Sequence, residues 1–149
     1  MKVAVASDMD TPLARAVVEE LRSRGHEPIA HGALAEGERS DWAWACERTA
    51  RDVAEGHAEQ GIVCSWTGTG ASNAANKVAG VRAALCADAE TARGARAWND
   101  ANVLALSLRA TSQAVLGEIL DAWFEGQPSD DPDDRANIDH VAELDAERA

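Results

Sequence analysis

Short aliphatic runs alternate with stretches of helical periodicity from the first residues to about residue 124, and this alternation constrains the fold more than any other feature of the chain. Val3 and Val5 lie in an apolar run that ends at Ser7-Asp8, the pattern of a strand buried on both faces. Thr11-Pro12 then offers an N-cap and a proline at the first helical position, and Leu13, Val17 and Leu21 follow at fourfold spacing before Gly25 stops the helix. A second strand is predicted near Glu27 to Ala30. Gly32 to Ser40 reads as a loop, and Asp41 as the cap of a helix running towards Gly56 with Trp42, Ala45, Thr49 and Val53 on one side. Gly61-Ile62-Val63-Cys64 is the third strand. The rhythm repeats with a helix over Ala71 to Lys77, a strand over Arg82 to Cys86, a helix over Asp88 to Ala97, a strand over Asn102 to Leu106 and a helix over Thr111 to Phe124.

Strands alternating with helices imply βαβ units, and right-handed crossovers assemble these into a parallel sheet covered on both faces. The expected architecture is a three-layer, Rossmann-like, doubly wound α/β fold with five parallel strands in the order 2-1-3-4-5, followed by a C-terminal helix. At 149 residues one domain is expected, residues 1–126, with residues 127–149 forming an acidic Pro/Asp linker and a helical tail that carries Ile138, Val141 and Leu144 on one stripe. That tail helix is short and needs a docking surface, on its own domain or on a second subunit.

A formal net charge of -12 repels phosphate backbones and anionic lipid, so nucleic acid and membrane partners are disfavoured. Cys46, Cys64 and Cys86 are odd in number and widely spaced, which fits a reducing cytoplasmic setting rather than a disulfide framework. His26, His31, His57 and His140 lack metal-ligand spacing and read as surface residues, so no metal site is expected. Cys64 and Cys86 read as small core residues, and Trp42, Trp44 and Trp123 as packed in a core or a dimer seam.

In a doubly wound sheet ligands bind beyond the carboxyl ends of the strands where the winding reverses, here between the first and third strands. That puts Asp8 beside the turn Ser65-Trp66-Thr67-Gly68-Thr69-Gly70. Glycines let a backbone approach a ligand, and a helix start offers free N–H donors to phosphate, carboxylate or an enediolate oxygen. No Gly-Lys-Ser/Thr follows, and the spacing is not that of a dinucleotide fingerprint.

Ser7-Asp8, Gly61-Ile62-Val63 leading into Thr67-Gly68-x-Gly70-x-Ser72, Ala74-Ala75-Asn76-Lys77, Arg82-Ala83-Ala84-Leu85-Cys86 and Asn99-Asp100-Ala101-Asn102-Val103-Leu104 together resemble the ribose-5-phosphate isomerase B and galactose-6-phosphate isomerase family, collinearly from residue 1 to about 125. The resemblance implies aldose–ketose isomerisation of sugar phosphates through an enediolate, without metal or organic cofactor. It also implies a homodimer with sites at the subunit interface. Several positions depart from the family pattern. An Asp-His pair becomes Asp8-Met9, the catalytic cysteine falls on Ser65, the ring-opening histidine is Trp98, and a glutamate base found in some relatives is Ala71.

Isomerisation needs a base and donors for the enediolate. Thr67, the amides of Gly68 and Gly70, and Asn99 are candidates for the donors, Thr69 for substrate binding, Trp66 and Trp98 for flanking walls, and Arg109 for phosphate. Serine is a poor base at neutral pH, so Asp8 is the leading candidate beside Ser65, with Asp10 and Asp100 behind it. Loss of the histidines points to an acyclic or non-ribose substrate. Two alternatives stay open: a non-catalytic small-molecule binder on the same fold, and an enzyme repurposed to a non-sugar substrate held by its tryptophans.

Overall fold

A computed structural model describes residues 1–148. Strand β1 spans Lys2–Ser7 and is followed by helix α1, Pro12–Ser23; β2, Glu27–Gly32; α2, Trp42–Ala54; β3, Gln60–Ser65; α3, Thr69–Ala75; β4, Ala83–Leu85; α4, Ala89–Asn99; β5, Val103–Ser107; α5, Gln113–Glu125; and α6, Pro132–Ala146. Thr11, Asp88 and Ser112 cap α1, α4 and α5 by accepting from Ala14, Thr91 and Val115 amides. Asp41 precedes α2 without a side-chain cap bond; its carboxylate is taken by the Arg39 guanidinium at 2.9 Å instead. α3 begins at Thr69, two residues before the expected start, so Gly70 lies inside its first turn.

All five strands are parallel, in the order β2-β1-β3-β5-β4. The doubly wound class is as expected, but the last two strands exchange places. The physical reason is burial: β5 is Val-Leu-Ala-Leu-Ser with four buried residues, whereas β4 has only three residues, none of them buried. A strand solvated on part of its surface costs least at an edge, and short edge strands also discourage pairing with other chains. β5 therefore pairs with β3 from Gly61↔Val103 to Ser65↔Ser107 and carries β4 on its outer side. The reversal of winding between β1 and β3 is unaffected.

Two apolar layers sandwich the sheet. On one face Val3, Val5, Ile62, Cys64, Leu104 and Leu106 pack with the buried sides of α1, α4 and α5, including Leu21, Leu116, Ile119 and Trp123. Trp123 is fully buried, and its indole N–H donates to Gln60 Oε1 at 3.0 Å. On the other face Ala6, Val63 and Ala105 meet Ala45, Cys46 and Ala50 of α2 and Ala71 and Ala75 of α3. The small side chains bring these helices close: a Cβ at Gly61 would lie 2.8 Å from Thr49 Cγ2.

The tail returns to its own domain, where α6 packs against α4. The Ser129 amide donates to Ala97 O at 2.8 Å and the Gly80 amide to Asp145 Oδ2 at 2.9 Å. Only Ile138 of the predicted stripe is buried; Val141 and Leu144 remain about half exposed along a groove of about 500 Å³ shared with Trp98 and Asn99. Among the described residues no helix is long and apolar enough to cross a membrane.

Candidate active site

The site is built where β1 and β3 end side by side. Ser7 pairs with Cys64 in the register, and the Asp8 amide donates to Cys64 O at 3.3 Å, so Asp8 and Ser65 occupy the next positions on adjacent strands. Strand alternation sends Cys64 into the layer beneath α1, α4 and α5. Ser65 faces the opposite layer, where its Oγ accepts from the buried Ala71 amide at 3.3 Å and ties the turn to α3.

Asp8 is partly buried, and its Oδ1 is buried with no hydrogen-bond partner among the described residues. Burial pushes its carboxyl above the ordinary carboxylate value, opposed by a backbone hydrogen bond. It opens into a crevice of about 340 Å³ whose other lining comes from Ser40, Asp41, Trp42, Ala43 and Trp44 at the start of α2. Asp10 is engaged elsewhere: Arg15 holds both its carboxylate oxygens, at 2.6 and 2.8 Å. Asp100 caps the end of α4 with φ 47 and faces Arg82 and Arg96. Neither acid stands beside Asp8.

In the turn, Gly68 is left-handed at φ 79, and a Cβ there would lie 2.5 Å from Leu85 Cδ1 and 3.0 Å from the Leu106 and Ser107 backbone. Only glycine meets both demands. The β5 end locks the turn from outside: the Leu108 amide donates to Ser65 O and the Arg109 amide to Trp66 O, each at 2.9 Å. The Thr67 and Thr69 hydroxyls lie 3.0 Å apart. No protein acceptor among the described residues takes the Thr69 or Gly70 amide, which leaves both free for a ligand oxygen. The Arg109 side chain is exposed and has no carboxylate partner among the described residues.

The tryptophans divide between core and surface: Trp123 is packed in the core as expected, and Trp42 and Trp44 are not core residues. Trp42 and Trp44 are 45% and 48% exposed and lie outside the core. The Trp42 ring roofs the turn, with ring carbons 3.0 Å from where a Gly70 Cβ would stand, and it also walls the Asp8 crevice. It therefore links the two halves of the site, a role sequence reasoning missed. The Arg39 guanidinium stacks over the Trp44 ring at 3.4 Å. Trp66 is half exposed on the turn itself. Trp98 and Asn99 are not brought to this crevice within one chain. They end α4, which runs antiparallel to the strands, so they lie near the amino edge of the sheet, and the Trp98 ring packs on Gly94.

The cysteines and histidines narrow the chemistry. Burial pushes the Cys46 and Cys86 thiols up to about 12 and the Cys64 thiol higher still, so none is a nucleophile at neutral pH. His31 is not a surface residue; it lies between Glu38 and Asp52. Among the described residues no three His, Cys, Asp or Glu side chains group to hold a metal ion. Asn76 and Asn102 are framework residues: Asn76 bonds both backbone groups of Ala83, and Asn102 bonds Arg82 and Gly80.

The fold defines a doubly wound α/β protein with a crevice at its winding reversal, lined by Asp8 and the start of α2, and Trp42 stands between that crevice and the glycine turn. More specifically, the chain belongs to the ribose/galactose isomerase family, which it matches over residues 3–141. It is 33% identical over 145 residues to galactose-6-phosphate isomerase subunit LacB of Clostridium acetobutylicum, covering 97% of this chain and 83% of that one. It is 38% identical over 115 residues to ribose-5-phosphate isomerase B of Escherichia coli, covering 77% and 76% of the two chains. The structure of ribose-5-phosphate isomerase B from Clostridium thermocellum superposes with a TM-score of 0.90 at 31% identity, covering all of both chains.

Proposed function

We propose that this chain is an aldose–ketose isomerase of open-chain sugar phosphates, with Asp8 as the base that moves a proton between adjacent carbons. The observation that carries this reading is the Asp8 carboxylate itself, which keeps a buried, unpartnered oxygen and a raised proton affinity at the mouth of the crevice. A carboxylate shifted towards neutrality is a better proton shuttle than one held at its ordinary value. Asp8 removes a proton from the carbon beside the carbonyl, and the electrons pass to the carbonyl oxygen as an enediolate. Asp8 returns the proton to the former carbonyl carbon, and the hydroxyl proton passes from the adjacent oxygen to the former carbonyl oxygen, so that the two oxygens exchange hydroxyl and carbonyl roles. The free Thr69 and Gly70 amides and the Thr67 hydroxyl stabilise the enediolate oxygens. Arg109 and the Gly68 turn take the phosphate, and Ser65 shapes the turn through Ala71.

Two further features belong to this reading. A crevice walled by indoles, with methionine and tryptophan at the positions Met9 and Trp98, lacks an imidazole to open a furanose ring, so the substrate is acyclic or not ribose. Trp98 and Asn99 join a site through a homodimer in which the neighbouring chain presents them to the crevice. Sedimentation showing only particles of 15.7 kDa would remove that second feature.

Deuterium exchange tests the chemistry. Incubation with a panel of aldose and ketose phosphates in heavy water should place deuterium beside the carbonyl, and Asp8→Asn should abolish that exchange. Binding of panel members without exchange would instead favour a non-catalytic binder.

A further inference from the structure

His31 is the penultimate residue of β2, with its side chain only 12% exposed, and both its ring nitrogens meet carboxylates. Nε2 lies 2.6 Å from Asp52 Oδ2 on α2. Nδ1 lies 3.1 and 3.2 Å from the two oxygens of Glu38, in the loop between β2 and α2. A ring held by a carboxylate at each nitrogen is fixed in both place and orientation. The remaining charged groups of this cluster lie behind the carboxylates: Arg48 of α2 is 3.8 Å from Glu38, and His57, after α2, is 3.5 Å from Asp52. From β1 the register neighbour is Ala6, which is uncharged.

Glu38 is the attachment point of its loop. Among the described residues no backbone hydrogen bond joins residues 36–40 to the rest of the protein, whereas residues 33–35 are held by the backbone of Ser7, His31 and Gly32. The Glu38 carboxylate supplies the missing connection, accepting from the Gly32 amide at 3.1 Å as well as from His31. Immediately beyond it come Ser40, Asp41, Trp42 and Trp44, which wall the Asp8 crevice and roof Gly70.

We propose that His31, bridging Glu38 and Asp52 through its two ring nitrogens, is a positioning residue that fixes the loop before α2 and thereby sets the tryptophan wall of the active site. The bridge stands on geometry alone, and its effect on catalysis rests on the isomerase reading above. The bridge is read first by NMR of the His31 ring, where Glu38→Gln and Asp52→Asn should each shift the resonance of the ring nitrogen that faces the altered residue. Amide exchange is read next. His31→Gln, which breaks the two-ended bridge, should speed exchange in residues 36–44 by about tenfold or more, as expected for loss of one hydrogen bond to a carboxylate, with β3 and β5 unchanged. Glu38→Gln, at the loop end of the bridge, should give the same result and replaces His31→Gln if that variant does not fold. Kinetics come third, on any panel substrate that the wild type turns over: KM should rise by about tenfold, with kcat within about twofold. His31 ring nitrogens that ignore both substitutions, unchanged exchange in the loop, or an unchanged KM in an active enzyme would each overturn the proposal. Absence of any wild-type turnover, with the first two results as expected, would count against the isomerase reading and leave the bridge standing.

Discussion

Gly68 and Gly56 share a φ of +79, yet only Gly68 is enclosed, and this pair separates backbone strain from steric contact at the candidate site. An alanine in the left-handed region costs about 1–2 kcal/mol at either position. Against this, alanine restricts the unfolded chain and returns about 0.4–1 kcal/mol. Gly56→Ala, with no atom within 4 Å of its new Cβ, should therefore lose only about 1 kcal/mol. At Gly68 the Cβ would meet Leu85 Cδ1 at 2.5 Å, which a rotamer change can relieve, and the Leu106 and Ser107 backbone at 3.0 Å, which it cannot. Displacing a strand end in a packed sheet adds roughly 1–3 kcal/mol. For a chain of this size the two variants should differ in Tm by roughly 3 to 10 °C, Gly68→Ala being the lower. Urea titration at equal m-values measures the difference directly. Equal destabilisation of the two variants would refute the argument that the turn is pressed against β5.

Asp8→Asn should be more stable than the wild type at neutral pH. The folded state raises the Asp8 carboxyl by burial and so binds its proton more tightly than the unfolded chain. Ionisation then costs stability, and the cost is absent below the ordinary carboxylate range and grows as pH rises through the folded value. Melting curves of the two proteins should converge in acid and separate towards neutrality; parallel curves would argue against a desolvated Asp8. The native thiols should resist a disulfide exchange reagent at mildly alkaline pH and all react on unfolding, because burial keeps Cys46, Cys64 and Cys86 protonated; one fast-reacting equivalent in the native protein would contradict this. Arg109→Gln should raise KM for a phosphorylated substrate by about tenfold or more with little change in Tm, since the side chain is exposed and has no carboxylate partner among the described residues. An unchanged KM would remove Arg109 from phosphate recognition.

Much of the fold is legible because burial on two faces leaves continuous aliphatic runs. β1, β3 and β5 stand out in this way, and Asp8 follows from being the first residue past a strand end. The exchange of β4 and β5 is less legible. Arg82 to Cys86 and Asn102 to Leu106 are of similar length and apolar content, and the one local signal is that Ala83-Ala84-Leu85 lacks β-branched residues. The opposite-edge location of Trp98 and Asn99 could have been read, since a crossover helix runs back to the amino edge before the next strand begins. Trp42 could not. Its partner Gly70 is remote in sequence, and their contact depends on how closely α2 and α3 settle on the sheet. His31 was likewise hidden, because Glu38 and Asp52 reach it from two different elements.

The insertion of the last strand between β3 and β4 has a consequence for biosynthesis. A nascent chain emerging from the ribosome can pair β2, β1 and β3 in turn, but β4 has no neighbour until β5 arrives. The donors to Ser65 O and Trp66 O come from Leu108 and Arg109, so the glycine turn also waits for that late segment. Translation must thus pass residue 109 before the turn is locked, and pauses or truncations upstream of residue 103 leave both the sheet and the turn without their keystone.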